Sequence, residues 1–122
     1  MKVFNLLSHK NQYMVYHDDA IYFQSYDTLM ATIRLSFNGG YSETLEINSR
    51  YWSATTGRHM KAFLNETRML DTVLCLIWEH RVFKNLKDFM QRATSVTLFM
   101  GEIDVEYKNN KGETETFICK KH

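Results

Sequence analysis

The spacing of apolar side chains changes twice along the chain, and this constrains the fold more than any other feature. Residues 28–37 alternate apolar and polar, residues 60–90 carry apolar side chains every three or four positions, and residues 102–120 alternate again. Strands therefore flank a helical middle, which predicts an α+β fold: an antiparallel sheet of two hairpin regions packed against two or three helices. At 122 residues, we expect one α+β domain spanning residues 1–122.

The first half of the chain predicts four strands and a defined hairpin register. Residues 12–17 and 21–26 read as strands around a turn at Asp18-Asp19. In the next strand the side chains predicted to face the core are Leu29, Ala31, Ile33, Leu35 and Phe37, which places Met30 and Thr32 outside. A three-residue loop ending at a left-handed Gly40 puts apolar residues opposite each other. The predicted neighbours are Phe37 with Tyr41, Ile33 with Leu45, Ala31 with Ile47, and Arg34 diagonally with Glu46 on the outer face.

The last twenty residues predict a second hairpin of the same design. Residues 102–107 alternate acidic and apolar side chains, and residues 109–112 form a turn that ends at Gly112. A three-residue loop gives the register that places apolar side chains on one face. The predicted pairs are Val105 with Phe117, Ile103 with Cys119, and Glu102 with Lys120.

The middle of the chain predicts helices, with breaks at 65–67 and 80–82. One apolar stripe comprises Met60, Phe63 and Leu64, a longer one comprises Leu70, Val73, Leu74, Ile77 and Trp78, and the spacing continues through Val82, Leu86, Phe89 and Met90. The helix at 70–78 is apolar on nearly all sides, so we expect the sheet on one side and another helix or a second subunit on the other, and we predict a homodimer. The predicted core centres on Ile33, Leu45, Val73, Ile77 and Phe89.

Composition favours a soluble protein of the cytoplasm and gives little guide to its partner. Fifteen basic and fourteen acidic residues leave a net charge of +1, which favours neither nucleic acid nor membrane. No apolar run is long enough to span a membrane, and residues 1–7 lack the apolar core of a signal peptide. Cys75 and Cys119 are expected to be reduced core residues. No pair of Cys or His has zinc-ligand spacing, so we expect no metal and no cofactor.

Residues 51–64 hold the densest group of chemically distinctive side chains, at the point where a strand gives way to a helix. Serine and threonine hydroxyls precede the helix, and a cation and a histidine stand in its first turn. One such hydroxyl suffices to cap the helix, which is the simpler interpretation, and a histidine there is typically at the surface or the core edge. The surplus hydroxyls leave room for a phosphate or carboxylate at the positive end of the helix dipole. The candidate binding residues are Trp52, Ser53, Thr55, Thr56, Arg58 and His59.

Two motifs carry a resemblance to a known family. They are Phe23-Gln24-Ser25-Tyr26-Asp27-Thr28 and Trp52-Ser53-Ala54-Thr55-Thr56-Gly57-Arg58-His59, the second leading to Phe63-Leu64. The chain resembles a family of small uncharacterised proteins found mostly in bacteriophages and other mobile elements, with the pattern Phe-x-Ser-Tyr-x-Thr and then aromatic-Ser-x-Thr-Thr-x-Arg/Lys-His. The resemblance covers roughly the first half of the chain. It implies a phage-type origin and a shared N-terminal fold, without an activity, and Gly57 departs from the serine of several relatives.

Two charged patches offer candidate partner surfaces. A basic helix over residues 80–92 carries Arg81, Lys84, Lys87 and Arg92, which suits phosphate contacts, although such a face is usually solvated. An acidic strip, defined by Glu102, Asp104 and Glu106, repeats every second residue of a strand. Its spacing of about 6.6–6.8 Å is near the spacing of phosphates along a nucleic acid, although charge that protects an edge strand is the plainer account.

These features favour a binding protein over an enzyme. No Asp/Glu pair, Cys/His pair or phosphate-loop motif has the context that catalysis needs. We expect a non-enzymatic accessory protein of a phage or mobile element, which binds a host macromolecule in the host cytoplasm, most simply as an inhibitor of a host or defence protein. The alternative is a nucleic-acid-binding module that uses Arg50, Arg58, His59 and the basic helix 80–92.

Overall fold

An eight-stranded antiparallel sheet and three helices make up the computed structural model, which describes residues 1–48 and 53–120. The strands are β1 (Lys2–Asn5), β2 (Gln12–His17), β3 (Ala20–Ser25), β4 (Thr28–Ser36), β5 (Ser42–Ile47), β6 (Ala93–Phe99), β7 (Glu102–Lys108) and β8 (Thr114–Lys120). The helices are α1 (Ala54–Glu66), α2 (Leu70–His80) and α3 (Leu86–Arg92), and a 3₁₀ turn covers Leu6–Ser8. The strands lie in chain order, and all three helices fall between the paired strands β5 and β6. The predicted α+β class is confirmed.

Both predicted hairpin registers are confirmed. In β4 and β5, Ile33 lies opposite Leu45 and Ala31 opposite Ile47. The Phe37 and Tyr41 rings lie 5.5 Å apart across the loop, and both loop glycines take positive φ, +73° at Gly39 and +121° at Gly40. Arg34 reaches Glu46 diagonally, with Nε 2.7 Å from Oε1. In the last hairpin, the structure pairs Val105 with Phe117, Ile103 with Cys119, and Glu102 with Lys120.

The predicted alternation of β4 fails at its first half. Phe23 lies opposite Ala31 but Gln24 lies opposite Leu29, so a β-bulge leaves Met30 between the two pairs. The extra residue turns Met30 into the core and leaves Leu29 exposed. Thr32, predicted to be outside, is buried and donates a hydrogen bond to Asn48 Oδ1 at 2.8 Å. The predicted inward positions of Leu29 and Phe37 are therefore wrong: both side chains are exposed, and Phe37 lies just past the end of β4.

The helix breaks are close to the predicted ones, but one strand beside them was missed. The chain leaves helical geometry at 67–69 and at 81–85, so the second break is longer than predicted. β6 follows α3 without an intervening Gly, Pro or Asn, and the usual sequence signal for a turn is therefore missing. β1 was missed because it spans only four residues.

Helix α2 presents a different face to the core from the one predicted. Val73 and Leu76 are buried, Ile77 is half-buried, and Leu74 and Trp78 are exposed. The predicted core is confirmed for Ile33, Leu45, Val73 and Phe89 and is wrong for Ile77. Cys75, predicted to be a core thiol, is also exposed. Among the described residues, no helix is long and apolar enough to cross a membrane.

Candidate functional site

Ser53 is the residue that caps α1. Its backbone is extended, and its Oγ accepts a hydrogen bond from the backbone N–H of Thr56 and donates one to the Thr56 hydroxyl oxygen, each at 3.0 Å. This confirms the capping interpretation for one of the three predicted hydroxyls. The first turn of α1 carries no acidic side chain, so the partial positive charge of the helix start is not offset there.

A polar cavity of about 490 Å³ lies where the start of α1 meets the sheet, and we call it the motif cavity. Six of its lining side chains carry hydroxyl groups: Ser25, Tyr26 and Thr28 from the first sequence motif, and Ser53, Thr55 and Thr56 from the second. Among the described residues, His9, Gln12 and Met30 complete the lining. The volume is in the range of about 300–1,000 Å³ that is usual for small-molecule pockets.

Two buried polar atoms at this end of the molecule have no hydrogen-bond partner among the described residues: Gln12 Oε1 and His59 Nε2. Gln12 lines the cavity and is only 1% exposed. His59 is fully buried, and its ring lies 4.9 Å from the ring of His9, which also lines the cavity. An acceptor left unpaired in this way costs about 1–3 kcal/mol, so a native structure that keeps two of them needs an explanation.

The expectation of a surface or core-edge position for His59 is wrong. The helical turn from Thr55 carries the ring inward, where its Nδ1 lies 2.7 Å from the backbone oxygen of Thr55. Since a carbonyl can only accept, Nδ1 carries the hydrogen, and the neutral ring presents Nε2 as an acceptor. The helix therefore fixes the tautomer of His59.

Not all of the other predicted binding residues line this cavity. Arg58 is exposed and is not among the described residues that line it. Trp52 and Arg50 fall outside the described residues. His9 and Gln12 could not be predicted from the sequence, because neither stands in a motif and only the tertiary fold brings them near Ser53, Thr55 and Thr56 at the start of α1.

The prediction of one continuous basic helix over residues 80–92 is wrong. Arg81 ends α2 in a left-handed conformation with φ 54°, and α3 starts only at Leu86. The loop between them breaks the predicted face into separate pieces. Lys84 and Lys87 remain exposed, as does Arg81.

Arg92, the fourth residue of the predicted basic patch, is half-buried and paired with Asp88. Its Nε lies 2.9 Å from Asp88 Oδ1 and its Nη2 3.0 Å from Asp88 Oδ2. The guanidinium also donates to the backbone oxygen of Val82 and stacks 5.1 Å from the Phe83 ring centre and 5.9 Å from that of Tyr107. Arg92 is therefore a structural clamp between α3, the loop before it and β7.

The acidic strip is exposed along its whole length. Glu102, Asp104 and Glu106 alternate with the buried side chains of β7, as the sequence predicts. However, β7 is paired on both sides, with β6 and with β8. Protection of an edge strand therefore does not explain these carboxylates.

An exposed apolar surface runs along α2, and we define the α2 outer patch as Leu74, Cys75 and Trp78. Trp78 is 77% exposed and Leu74 is 42% exposed. The two lie four residues apart, so they are neighbours on one side of the helix. Beside the patch, a groove of about 360 Å³ runs between α2 and the β7–β8 end of the sheet, and both Cys75 and Cys119 line it.

A second apolar groove, of about 510 Å³, lies between β1, β2 and α1. Phe4, Leu7 and Ala62 line it, with Lys2 and Glu66 among its polar residues. Both Phe4 and Leu7 are exposed. This groove could not be predicted from the sequence because β1 was not recognised.

The described residues contain no group of three or more His, Cys, Asp or Glu side chains arranged to hold a metal ion. A model of a family described as a family of unknown function, DUF8033, matches residues 2–74, which is more than half of the chain. The match takes in β1 to β5, α1 and the start of α2, and so includes the motif cavity. No curated protein and no solved structure matches the chain.

Proposed function

The chain belongs to DUF8033, a family of unknown function that brings no activity with it, and we propose a function from its surface. In this proposal the chain is a non-enzymatic accessory protein of a phage or other mobile element. It binds a host protein in the host cytoplasm and acts most simply as an inhibitor. The two motifs at residues 23–28 and 52–59 support the phage-type origin through the resemblance described above.

The observation that carries this proposal is the α2 outer patch. A largely exposed tryptophan beside an exposed leucine on a regular helix is unusual for a surface that meets only water. Tryptophan is also strongly enriched among the residues that contribute most to protein–protein binding. We infer that Trp78 is the anchor residue and that Leu74 and Cys75 pack around it in the complex.

A second copy of the chain is the competing occupant, as the predicted homodimer requires. A stable dimer interface usually buries about 800 Å² or more on each partner. The α2 outer patch is small beside that, and its neighbours Asp71, Glu79 and His80 are polar and exposed. A compact aromatic anchor with a polar surround fits a hot spot for a different protein better than half of a dimer core.

Nucleic acid is the second candidate partner, and the structure removes part of its support. His59 is buried and Arg92 is engaged with Asp88, so of the predicted basic residues that the structure describes, only Arg58, Arg81, Lys84 and Lys87 are exposed. If these residues bind phosphate, the complex should weaken steeply between about 50 and 200 mM salt. Electrophoretic shift with DNA and RNA at those two salt concentrations tests this candidate.

The host-protein proposal is tested by capture with matched variants. The wild-type chain, Trp78→Ala and Ile118→Ala are immobilised and exposed to lysate of the host cell. Ile118 is a suitable control because it is 65% exposed but lies on β8, outside the patch. We expect wild type and Ile118→Ala to retain the same host protein and Trp78→Ala to lose it.

Two results would contradict the proposal. If all three chains capture the host protein equally, the binding surface lies outside the α2 outer patch. Phe4→Ala would then test the groove beside β1. Light scattering that shows a wild-type dimer and a Trp78→Ala monomer at micromolar concentration would assign the patch to a second copy instead.

A further inference from the structure

We propose that the motif cavity binds a small uncharged ligand that donates hydrogen bonds through hydroxyl or amino groups. This inference does not depend on the proposed host partner. It begins from Gln12, which lines the cavity, is almost fully buried, and has an Oε1 without a partner among the described residues. A buried acceptor of this kind is satisfied when a ligand supplies the missing donor.

His59 is a second buried side chain near the cavity, although it is not among the described residues that line it. Its Nδ1 hydrogen is already given to the Thr55 oxygen, so the unpaired Nε2 is an acceptor in the neutral ring. Thr55, one helical turn before His59, lines the cavity, and so does His9, whose ring lies 4.9 Å from the His59 ring. The orphaned atom of the cavity lining, Gln12 Oε1, therefore lacks a donor rather than an acceptor.

The other lining side chains favour a neutral ligand. Among the described residues that line the cavity there is no Lys, Arg, Asp or Glu, so neither an anion nor a cation finds a side chain of opposite charge that is permanently ionised. Serine and threonine hydroxyls both donate and accept, which suits the hydroxyl groups of a ligand. Backbone N–H groups at the start of α1 can add donors for a ligand oxygen.

This chemistry has two common sources among small molecules, the sugars and the nucleosides. Both are uncharged, both carry several hydroxyl donors, and both are small enough for a cavity of about 490 Å³. The rings of His9 and Tyr26 in the lining can stack on a nucleobase or on the apolar face of a sugar. The experiment must separate these sources, and it must also separate both from the anion that the sequence suggested.

The experiment titrates the full chain with D-glucose and N-acetyl-D-glucosamine in one arm, adenosine and uridine in another, and inorganic phosphate in a third. Binding is followed by amide chemical shifts in NMR and by Tm. We expect saturable shifts at the cavity residues with a sugar or a nucleoside, and a rise in Tm. The arm that responds identifies the source of the ligand.

Gln12→Met separates a binding role from a structural one. The substitution removes the unpaired acceptor and keeps an unbranched side chain of similar length, so we expect a higher Tm for the free protein together with at least tenfold weaker ligand binding. Gln91→Met is the matched control, because Gln91 is exposed on α3 and should change neither value. Thr55→Val, at an exposed position of the cavity, should weaken binding with little change in Tm and serves if Gln12→Met folds poorly.

Several outcomes would overturn the inference. Each neutral probe is added at millimolar concentration and in roughly tenfold excess over the protein. If none of the four binds under these conditions, water alone satisfies the two acceptors. Binding of phosphate alone would restore the anion interpretation. Binding of a neutral probe that neither Gln12→Met nor Thr55→Val weakens would place the ligand somewhere other than the motif cavity.

Discussion

Replacing Arg92 tests whether this residue clamps the fold or belongs to a nucleic-acid surface. In the clamp account, Arg92→Ala removes two charge-assisted hydrogen bonds to Asp88, at 2.9 and 3.0 Å, in a pair whose side chains are only 21% and 22% exposed. Hydrogen bonds to charged groups contribute about 1.5–3 kcal/mol each, and a stacked cation adds about 0.5–2 kcal/mol. These terms are not additive, and Asp88 keeps a hydrogen bond from the backbone N–H of Lys84. We therefore expect a loss of about 2–4 kcal/mol in the free energy of unfolding.

The assay is urea unfolding followed by far-UV circular dichroism. Arg92→Lys keeps the charge but loses the planar fork, so it should lose about half as much stability as Arg92→Ala. Lys87→Ala is the control, because Lys87 is exposed on the same helix and its removal should change stability by less than about 0.5 kcal/mol. If Arg92→Ala costs less than about 1 kcal/mol and weakens nucleic-acid binding, the clamp account is wrong.

Acid provides an independent check of the same pair. Hydrogen bonds from Arg92 hold the pKa of Asp88 below its ordinary value, with a further lowering from the Lys84 N–H, while desolvation opposes both. A carboxylate with a lowered folded pKa stabilises the protein above the unfolded pKa of about 3.9, and this stability is lost as pH falls through the folded pKa. The stability gap between wild type and Arg92→Ala should therefore narrow below about pH 4. A gap that stays constant down to pH 2 would refute the assigned ion pair.

Three further predictions concern the core, a turn and a thiol. Phe63→Ala should lower the free energy of unfolding by about 3–5 kcal/mol, because the Phe63 ring is fully buried and stacks 5.6 Å from the Phe23 ring. Urea unfolding measures this, and a loss under about 2 kcal/mol would contradict the position of α1. Gly40→Ala should lower Tm, because φ is +121° and the new Cβ would lie 3.1 Å from the Phe99 ring, and an unchanged Tm would show that the turn relaxes. Burial, together with nearby Glu79 and Asp104, raises the pKa of the Cys119 thiol. Alkylation of this thiol at pH 8 should therefore be much slower in the folded chain than in the urea-unfolded chain. Equal alkylation rates would contradict this prediction.

The sheet register could be predicted because it depends on local signals. Alternating side chains identify the strand faces, and the glycines at the turns limit the loop lengths. Those two constraints were enough to pair Ile33 with Leu45 and Val105 with Phe117. The β-bulge at Met30 could not be predicted, since a single extra residue leaves no mark on the composition of a strand.

The orientation of α2 could not be predicted because the helix is apolar around most of its circumference. Several stripes of apolar residues are available on such a helix, and only packing in the folded core selects Val73 and Leu76 over Leu74 and Trp78. The exposed patch is thus a result of the tertiary fold.

The candidate site was predicted in part. Ser53, Thr55 and Thr56 line the motif cavity, as a hydroxyl-rich helix start suggested. The burial of His59 and the part played by Gln12 depend on the tertiary fold, which brings His9 against the His59 ring and Gln12 into the cavity at the start of α1. The charge of Arg58 predicts a binding residue, but Arg58 is exposed and is not among the described residues that line the cavity.

The central claim, that the chain works by binding a host protein through Trp78, is tested most directly by one equilibrium measurement. The Kd of the captured host protein is determined by calorimetry for wild type, Trp78→Ala and Ile118→Ala. An anchor residue contributes about 2 kcal/mol or more, which corresponds to roughly a thirtyfold increase in Kd for Trp78→Ala, while Ile118→Ala should remain within about twofold of wild type. Equal Kd values for wild type and Trp78→Ala would contradict the account.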